Sequence, residues 1–272
     1  MRPPFRLLAI TPPVGPVPAD LVTRWLAAGR LDIALLLREP GTPAAEILAA
    51  DGRLAAIRRA CLAHGVPVLL SIGPTELDLP RPSDIAGLHL RGDPDLALLT
   101  HARPVPSDSP PHAPHQPVPS DSPPGARMQP VPSDSPPRAP RQPVPSDSPP
   151  GSGPWLGRSC HGDPQPGHDL VDYTLFAPVF APTTAQPGRP SGSKIPAGLV
   201  ALRAWTAAAG AVVYALGGIS PANAAACLAA GAHGLAGIGV FFGQPGQVAQ
   251  DVAALREIVA ASDRHVEPVS PR

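Results

Sequence analysis

Short apolar runs and longer segments of helical periodicity alternate along most of this chain. Residues 5–11 read as a strand, 20–28 as a helix, and 31–37 as an apolar strand ending at Arg38-Glu39. Residues 44–64 predict one helix, weakened at Gly52 and closed by Gly65. Strands follow at 66–72 and 85–90, then a helix near 93–101. Further on, 155–159 and 171–176 are strand-like, 197–209 is helical, and 212–216 is a strand stopped by Gly217-Gly218. Ser220 then stands where a helix N-cap belongs, Pro221 at the first helical position and Gly231 just past the end. A last strand, 234–238, runs into Gly237, Gly239 and Gly243. Val248, Val252, Leu255 and Val259 mark a final amphipathic helix.

Eight strands alternating with helices predict an α/β fold, an eight-stranded parallel (β/α)8 barrel; a doubly wound open sheet is the runner-up. The third and fifth helices are weakly signalled, since 75–83 holds two prolines and 162–167 reads as loop. In such a barrel the chemistry gathers at the C-terminal strand ends, with a phosphate site after strands seven and eight. The two glycine-rich junctions at 217–218 and 237–239 lie there, and their backbone N–H groups are suited to an anion.

Proline interrupts this pattern. Of 43 prolines in 272 residues, many lie in four copies of PVPSDSPP that begin at Pro104, Pro117, Pro130 and Pro143. The repeat carries no large aromatic and no helical apolar face, so it cannot bury enough surface to offset its ordering entropy. Residues 103–153 are therefore expected to be a disordered, polyproline-II-leaning insert between the fourth helix and the fifth strand. A proline-reading partner of this insert is one function it could have. The barrel domain is expected over 1–102 and 154–265, with a tail at 266–272.

Charge narrows the partners. Lys and Arg number 21 and so do Asp and Glu, which argues against nucleic acid and against a membrane surface. The three cysteines, Cys61, Cys160 and Cys227, form no CxxC pair and fit reduced thiols in a cytoplasmic protein. The N-terminal apolar run is too short for a signal peptide, and no segment is long enough to span a bilayer. Polar candidates at the strand ends are Arg38 and Glu39, Ser71, His89 and Arg91, Arg158, Ser159 and His161, and Thr183 and Thr184. Period-two alternation aims Ser159 and His161 together and Cys160 the other way. The histidines show no metal-ligand spacing.

The pieces LLAIT, LLLRE, VPVLLSI, IAGLHL, LGRSCH, DYTLFAPVF and ALGGISPANAAACLAAGAHGLAGIGVFF occur in the order seen in the thiamine phosphate synthase/TenI family, and the chain resembles that family outside the insert. The resemblance implies a barrel that binds phosphorylated thiamine precursors. Synthases of the family join a pyrimidine diphosphate to a thiazole phosphate with Mg²⁺, which needs carboxylates and cations beside the diphosphate. Here Arg38 is kept, but the Gln and Lys that flank it in the synthases are absent. Ser71-Ile72 stands where the synthases have Asn-Asp. The strand-six loop reads Pro182-Thr183-Thr184-Ala185, without its lysine, and Lys194 lies too far on to align simply.

TenI-type thiazole tautomerases need less: a phosphate anchor and a group that moves protons on a carboxythiazole phosphate. LGRSCH resembles their Gly-Arg-Ser-x-His motif, which implies His161 as the proton-transfer residue. It implies Gly217, Gly218, Ile238 and Gly239 as the phosphate anchor, and Arg38, Ser159 and Thr184 as substrate contacts. The expected function is thus a metal-free, cofactor-free tautomerase whose partner is a small thiazole phosphate. A divergent synthase using Mg²⁺ and a non-catalytic phosphate-ligand binder are the alternatives, and a homo-oligomer is left open. Deleting residues 103–153 is expected to leave the melting temperature and activity unchanged; a deletion variant that fails to fold contradicts the insert boundary.

Overall fold

The predicted strands are mainly apolar on both faces, as strands of a closed parallel sheet are when helices cover one face and a packed lumen the other. The computed structural model describes residues 3–27, 29, 32–78, 82–92, 154–162, 170–182 and 195–264. The strands are β1 (Leu7–Ile10), β2 (Ile33–Leu37), β3 (Val68–Ile72), β4 (Gly87–Leu90), β5 (Trp155–Cys160), β6 (Tyr173–Phe176), β7 (Val212–Leu216) and β8 (Gly234–Gly237). All pair in parallel in chain order, and β8 returns to β1, with Leu8 opposite Ala236. That last ladder closes the barrel and excludes the open sheet.

Helices α1 (Leu21–Leu26), α2 (Ala44–Ile47), α3 (Ala55–Ala63), α4 (Gly198–Ala208), α5 (Pro221–Ala229), α6 (Gly239–Phe242) and α7 (Pro245–Arg264) are the described helical elements. The predicted helix over 44–64 is in fact two, α2 and α3. Turn-forming Asp51 and Gly52 fall between them, and Gly52 N–H bonds Ala49 carbonyl at 3.1 Å in a tight turn. The expected glycine turn after β8 is a one-turn helix, α6, which sinks Phe241 into the core against Trp25. Trp25 Nε1 donates to the Phe241 carbonyl at 3.0 Å and ties α1 to that turn. The weakly signalled third connection contains a 3₁₀ turn, Pro74–Glu76. The predicted fourth helix, the repeat insert and the tail lie outside the described residues.

The apolar side chains sort into two layers by strand alternation. Leu7, Ala9, Ile33, Leu35, Leu37, Val68 and Leu70 point outward against Trp25, Trp205, Phe241 and Val252 of the helices. Leu8, Ile10, Ala34, Leu36, Leu69, Tyr173, Leu175, Tyr214 and Ala236 fill the lumen. Phe5 joins them, its ring 5.4 Å from Trp155 and 5.8 Å from Tyr214. The two tyrosine rings fit because facing positions are glycine. A Cβ on Gly157 would lie 2.1 Å from Tyr173 Cζ, and one on Gly234 would lie 2.6 Å from Tyr214 Cε1. The three cysteines are buried, and burial pushes the Cys61 thiol up to about 12 and the Cys227 thiol to about 11. These two thiols are packing groups and not nucleophiles.

Two predictions follow from this interior. Gly157→Ala drives a methyl group into the Tyr173 ring and should cost about 1–3 kcal/mol by chemical denaturation; an unchanged midpoint contradicts the packing described. His89, wholly inside the lumen, has its pKa lowered from 6.5 to about 3, first by loss of solvent and then by the Arg38 charge. The unfolded chain takes up a proton below pH 6.5 that the folded chain refuses until pH 3. Stability should therefore fall across that window, by up to about 1.4 kcal/mol per pH unit. His89→Gln should flatten this acid limb, and denaturation midpoints at pH 7, 5.5 and 4.5 measure it. Parallel limbs in both proteins contradict it.

Candidate active site

One pocket opens at the C-terminal strand ends, where β1, β2, β5, β7, β8 and the loop after β6 meet. Its walls include Arg38, Ser159, His161, Gly217, Gly218, Ile238 and Gly239. Seven of the eight residues expected from sequence are thus together. The eighth, Thr184, lies outside the described residues, as do Thr183 and Lys194.

The glycine pair after β7 has two jobs. Gly217 and Gly218 hold φ of +99° and +62°, and the loop after β6 packs directly on them. A Cβ on Gly217 would lie 2.7 Å from Pro178 Cβ, and one on Gly218 would lie 2.5 Å from the Ala181 carbonyl. Val179 and Phe180 N–H groups bond the Leu216 and Gly217 carbonyls at 2.9 and 3.0 Å, so two loops are stitched into one wall. Asn223 completes the turn. Its Oδ1 accepts from Ser220 N–H and its Nδ2 donates to the Gly218 carbonyl, both at 2.9 Å. These bonds occupy carbonyls and leave the amides. Among the described residues, no acceptor takes the N–H of Gly217, Gly218, Ile238 or Gly239. Four open donors at the mouth of a barrel suit an anion such as phosphate.

Arg38 is the cation of the pocket. Thr11 anchors its backbone, Oγ1 accepting from Arg38 N–H and donating to Arg38 carbonyl, each at 2.8 Å. No described residue takes a hydrogen bond from its guanidinium. Burial, and then the charge of Arg91, press its pKa below the usual arginine value. A half-buried guanidinium without an internal partner favours an anionic ligand. The neighbouring ionic groups are already matched. Glu39 pairs with Arg53, and Glu76 with Arg91 at 2.8 Å. Burial raises the Glu76 carboxyl, but the Gly73 and Ala44 N–H groups and Arg91 outweigh it and hold the pKa below the carboxylate range. Among the described residues, no group of three or more His, Cys, Asp or Glu could hold a metal ion.

On β5, alternation places Ser159 and His161 at the pocket and Cys160 in the outer core, as expected. The same alternation removes Arg158, 2% exposed, to the outer face, so it is no part of the site. His161 is exposed at the rim, and its Nδ1 is hydrogen-bonded to the Ala177 carbonyl. A carbonyl can only accept, so Nδ1 carries the proton and Nε2 is left with a lone pair. Beneath the floor, His89 joins Ser159 Oγ (2.9 Å) to Tyr173 OH (3.2 Å). The sequence places His89 among the polar strand-end candidates but does not single out Thr11 and Ala177, whose roles depend on partners far along the chain.

Comparison with known proteins agrees with this fold. The family model described as thiamine monophosphate synthase matches residues 148–241, from before β5 into α6. No curated protein sequence matches the chain. Among solved structures, a thiamine phosphate pyrophosphorylase from Pyrococcus furiosus superposes with a TM-score of 0.55 at 17% identity, covering 95% of this chain and 96% of that one. A 3-hexulose-6-phosphate synthase gives 0.52 at 14% identity, covering 94% and 100%. At such identities these likenesses speak for the barrel fold alone. The family's sequence pattern thus lies across β5 to β8, on a barrel of the shape these structures share, and both findings support the thiamine phosphate synthase/TenI family.

Proposed function

We propose that this protein is a thiazole tautomerase that aromatises a carboxythiazole phosphate by moving protons. The carrying observation is that His161, oriented by Ala177, shares one pocket with Arg38 and four backbone N–H groups that no described residue engages. In this reading the phosphate sits on the amides of Gly217, Gly218, Ile238 and Gly239. Arg38 and Ser159 receive the ring carboxylate, and Thr184 is a further substrate contact. His161 Nε2 takes a proton from the ring and returns one at a conjugated carbon while the double bonds shift, so no σ bond other than those to hydrogen is made or broken.

The synthase reading has one point in its favour, the names that the family model and the Pyrococcus furiosus relative carry. Among the described residues, none fits its magnesium. Ser71 is wholly buried in the lumen beside His89. Glu39 and Glu76 already neutralise Arg53 and Arg91. Diphosphate departure would also lack the two lysines that its charge calls for.

His161→Ala should lower the aromatisation rate about 10²–10⁴-fold while the affinity for a thiazole phosphate, measured by calorimetry, stays within about threefold. Turnover retained in that variant ends the assignment of His161.

A further inference from the structure

Three polar groups form a line that the proton transfer at His161 does not use. Tyr173 OH, His89 and Ser159 Oγ run from the barrel lumen up to the pocket floor, through contacts of 3.2 and 2.9 Å. The first two are buried, at 0% and 1% exposure, and Ser159 is half-buried where it lines the pocket. Such a line has a direction, because each hydroxyl brings one hydrogen and a neutral imidazole brings one more.

There are two ways to place those hydrogens. In one, Ser159 donates to His89 Nε2, and His89 Nδ1–H donates to the phenol oxygen. The phenol hydrogen is then left in the lumen, where no described residue accepts it. A buried donor without an acceptor is costly. In the other, Tyr173 donates to Nδ1, and Nε2–H donates to Ser159 Oγ. The one remaining hydrogen belongs to Ser159 and stands at the pocket, where water or a ligand can take it. Burial holds both titratable members in the form this needs. The phenol pKa is raised, keeping its proton, and the imidazole is held neutral.

We propose that Tyr173 and His89 are positioning residues that fix the Ser159 hydroxyl as a hydrogen-bond donor into the pocket, and that with Arg38 it selects a carboxylate-bearing ligand. Arg38 and Ser159 line the same pocket, so a guanidinium and a hydroxyl are offered to one ligand. Carboxylate oxygens accept from both, while a ligand lacking the carboxylate leaves both unmet. The selectivity rests on the tautomerase reading for its substrate; the hydrogen-bond direction does not.

Two measurements on the full-length protein test this. Long-range proton–nitrogen NMR of histidine-labelled protein should show His89 Nδ1 unprotonated and Nε2 protonated. The reverse tautomer overturns the proposal. Ser159→Ala should weaken a carboxythiazole phosphate about tenfold and leave the same compound without its carboxylate within about twofold. Tyr173→Phe should weaken the carboxylated probe several-fold, with no such loss for the other, and should allow the second His89 tautomer. His89→Gln, whose amide can accept from Tyr173 and donate to Ser159, should retain the preference that His89→Leu loses. Equal losses for both probes, or equal behaviour of Gln and Leu at position 89, mean a merely structural line and refute the selectivity. If instead the preference and tautomer are as stated but no aromatisation occurs, the tautomerase reading fails and this one stands.

Discussion

Two tyrosine rings occupy space that two strands surrender by carrying glycine, and the geometry of the site depends on that exchange. Tyr173 fills the lumen against Gly157, and Tyr214 fills it against Gly234. A slip of one residue in β5 or β8 would bring a side chain into a ring and turn the inward set outward. The fit therefore fixes register, and register fixes height. Ser159 and His161 emerge two and four residues above Gly157, and Ile238 emerges four above Gly234. The packed bottom of the barrel thus determines which groups face one another at its top.

Above that floor the protein divides its charges between construction and chemistry. Arg53 and Arg91 each close an ion pair with a carboxylate and also bond loop carbonyls, which holds the strand-end loops in place. Arg38 is held by its backbone instead, through Thr11, and no described residue takes a hydrogen bond from its side chain. The backbone follows the same division: loop carbonyls at Leu216, Gly217 and Gly218 are bonded, and the amides around them are open. In the proposed reading, this cation and these amides take the two acidic ends of one ligand.

Much of this was legible in the chain, for local reasons. Strand and helix periodicity gave the barrel, because apolar runs of four to six residues can only be buried on two sides at once. Pro221, Gly217-Gly218 and Gly231 announced the junctions, since their backbone preferences act on their own neighbours. Alternation separated Ser159 from Cys160 correctly, and applied to Arg158 it would have removed that residue as well. Local signals failed where a long-range contact decides. Phe241 turns a glycine-rich end into a helical turn by packing on Trp25, 216 positions away in the chain. The bonds of His89 span 84 and 70 positions, and the hold of Ala177 on His161 crosses from one strand end to the next. No pattern along the sequence encodes those pairs.

The central claim is that the pocket moves protons on a bound thiazole phosphate and does not join two substrates. Its most direct measurement is incubation of the purified full-length protein with the non-aromatic carboxythiazole phosphate tautomer, with and without a pyrimidine diphosphate and Mg²⁺, following both products by chromatography. Aromatisation at one rate in all mixtures, with no thiamine phosphate formed, is the predicted result. Thiamine phosphate appearing only when diphosphate and Mg²⁺ are both present, with no prior aromatisation, would contradict it.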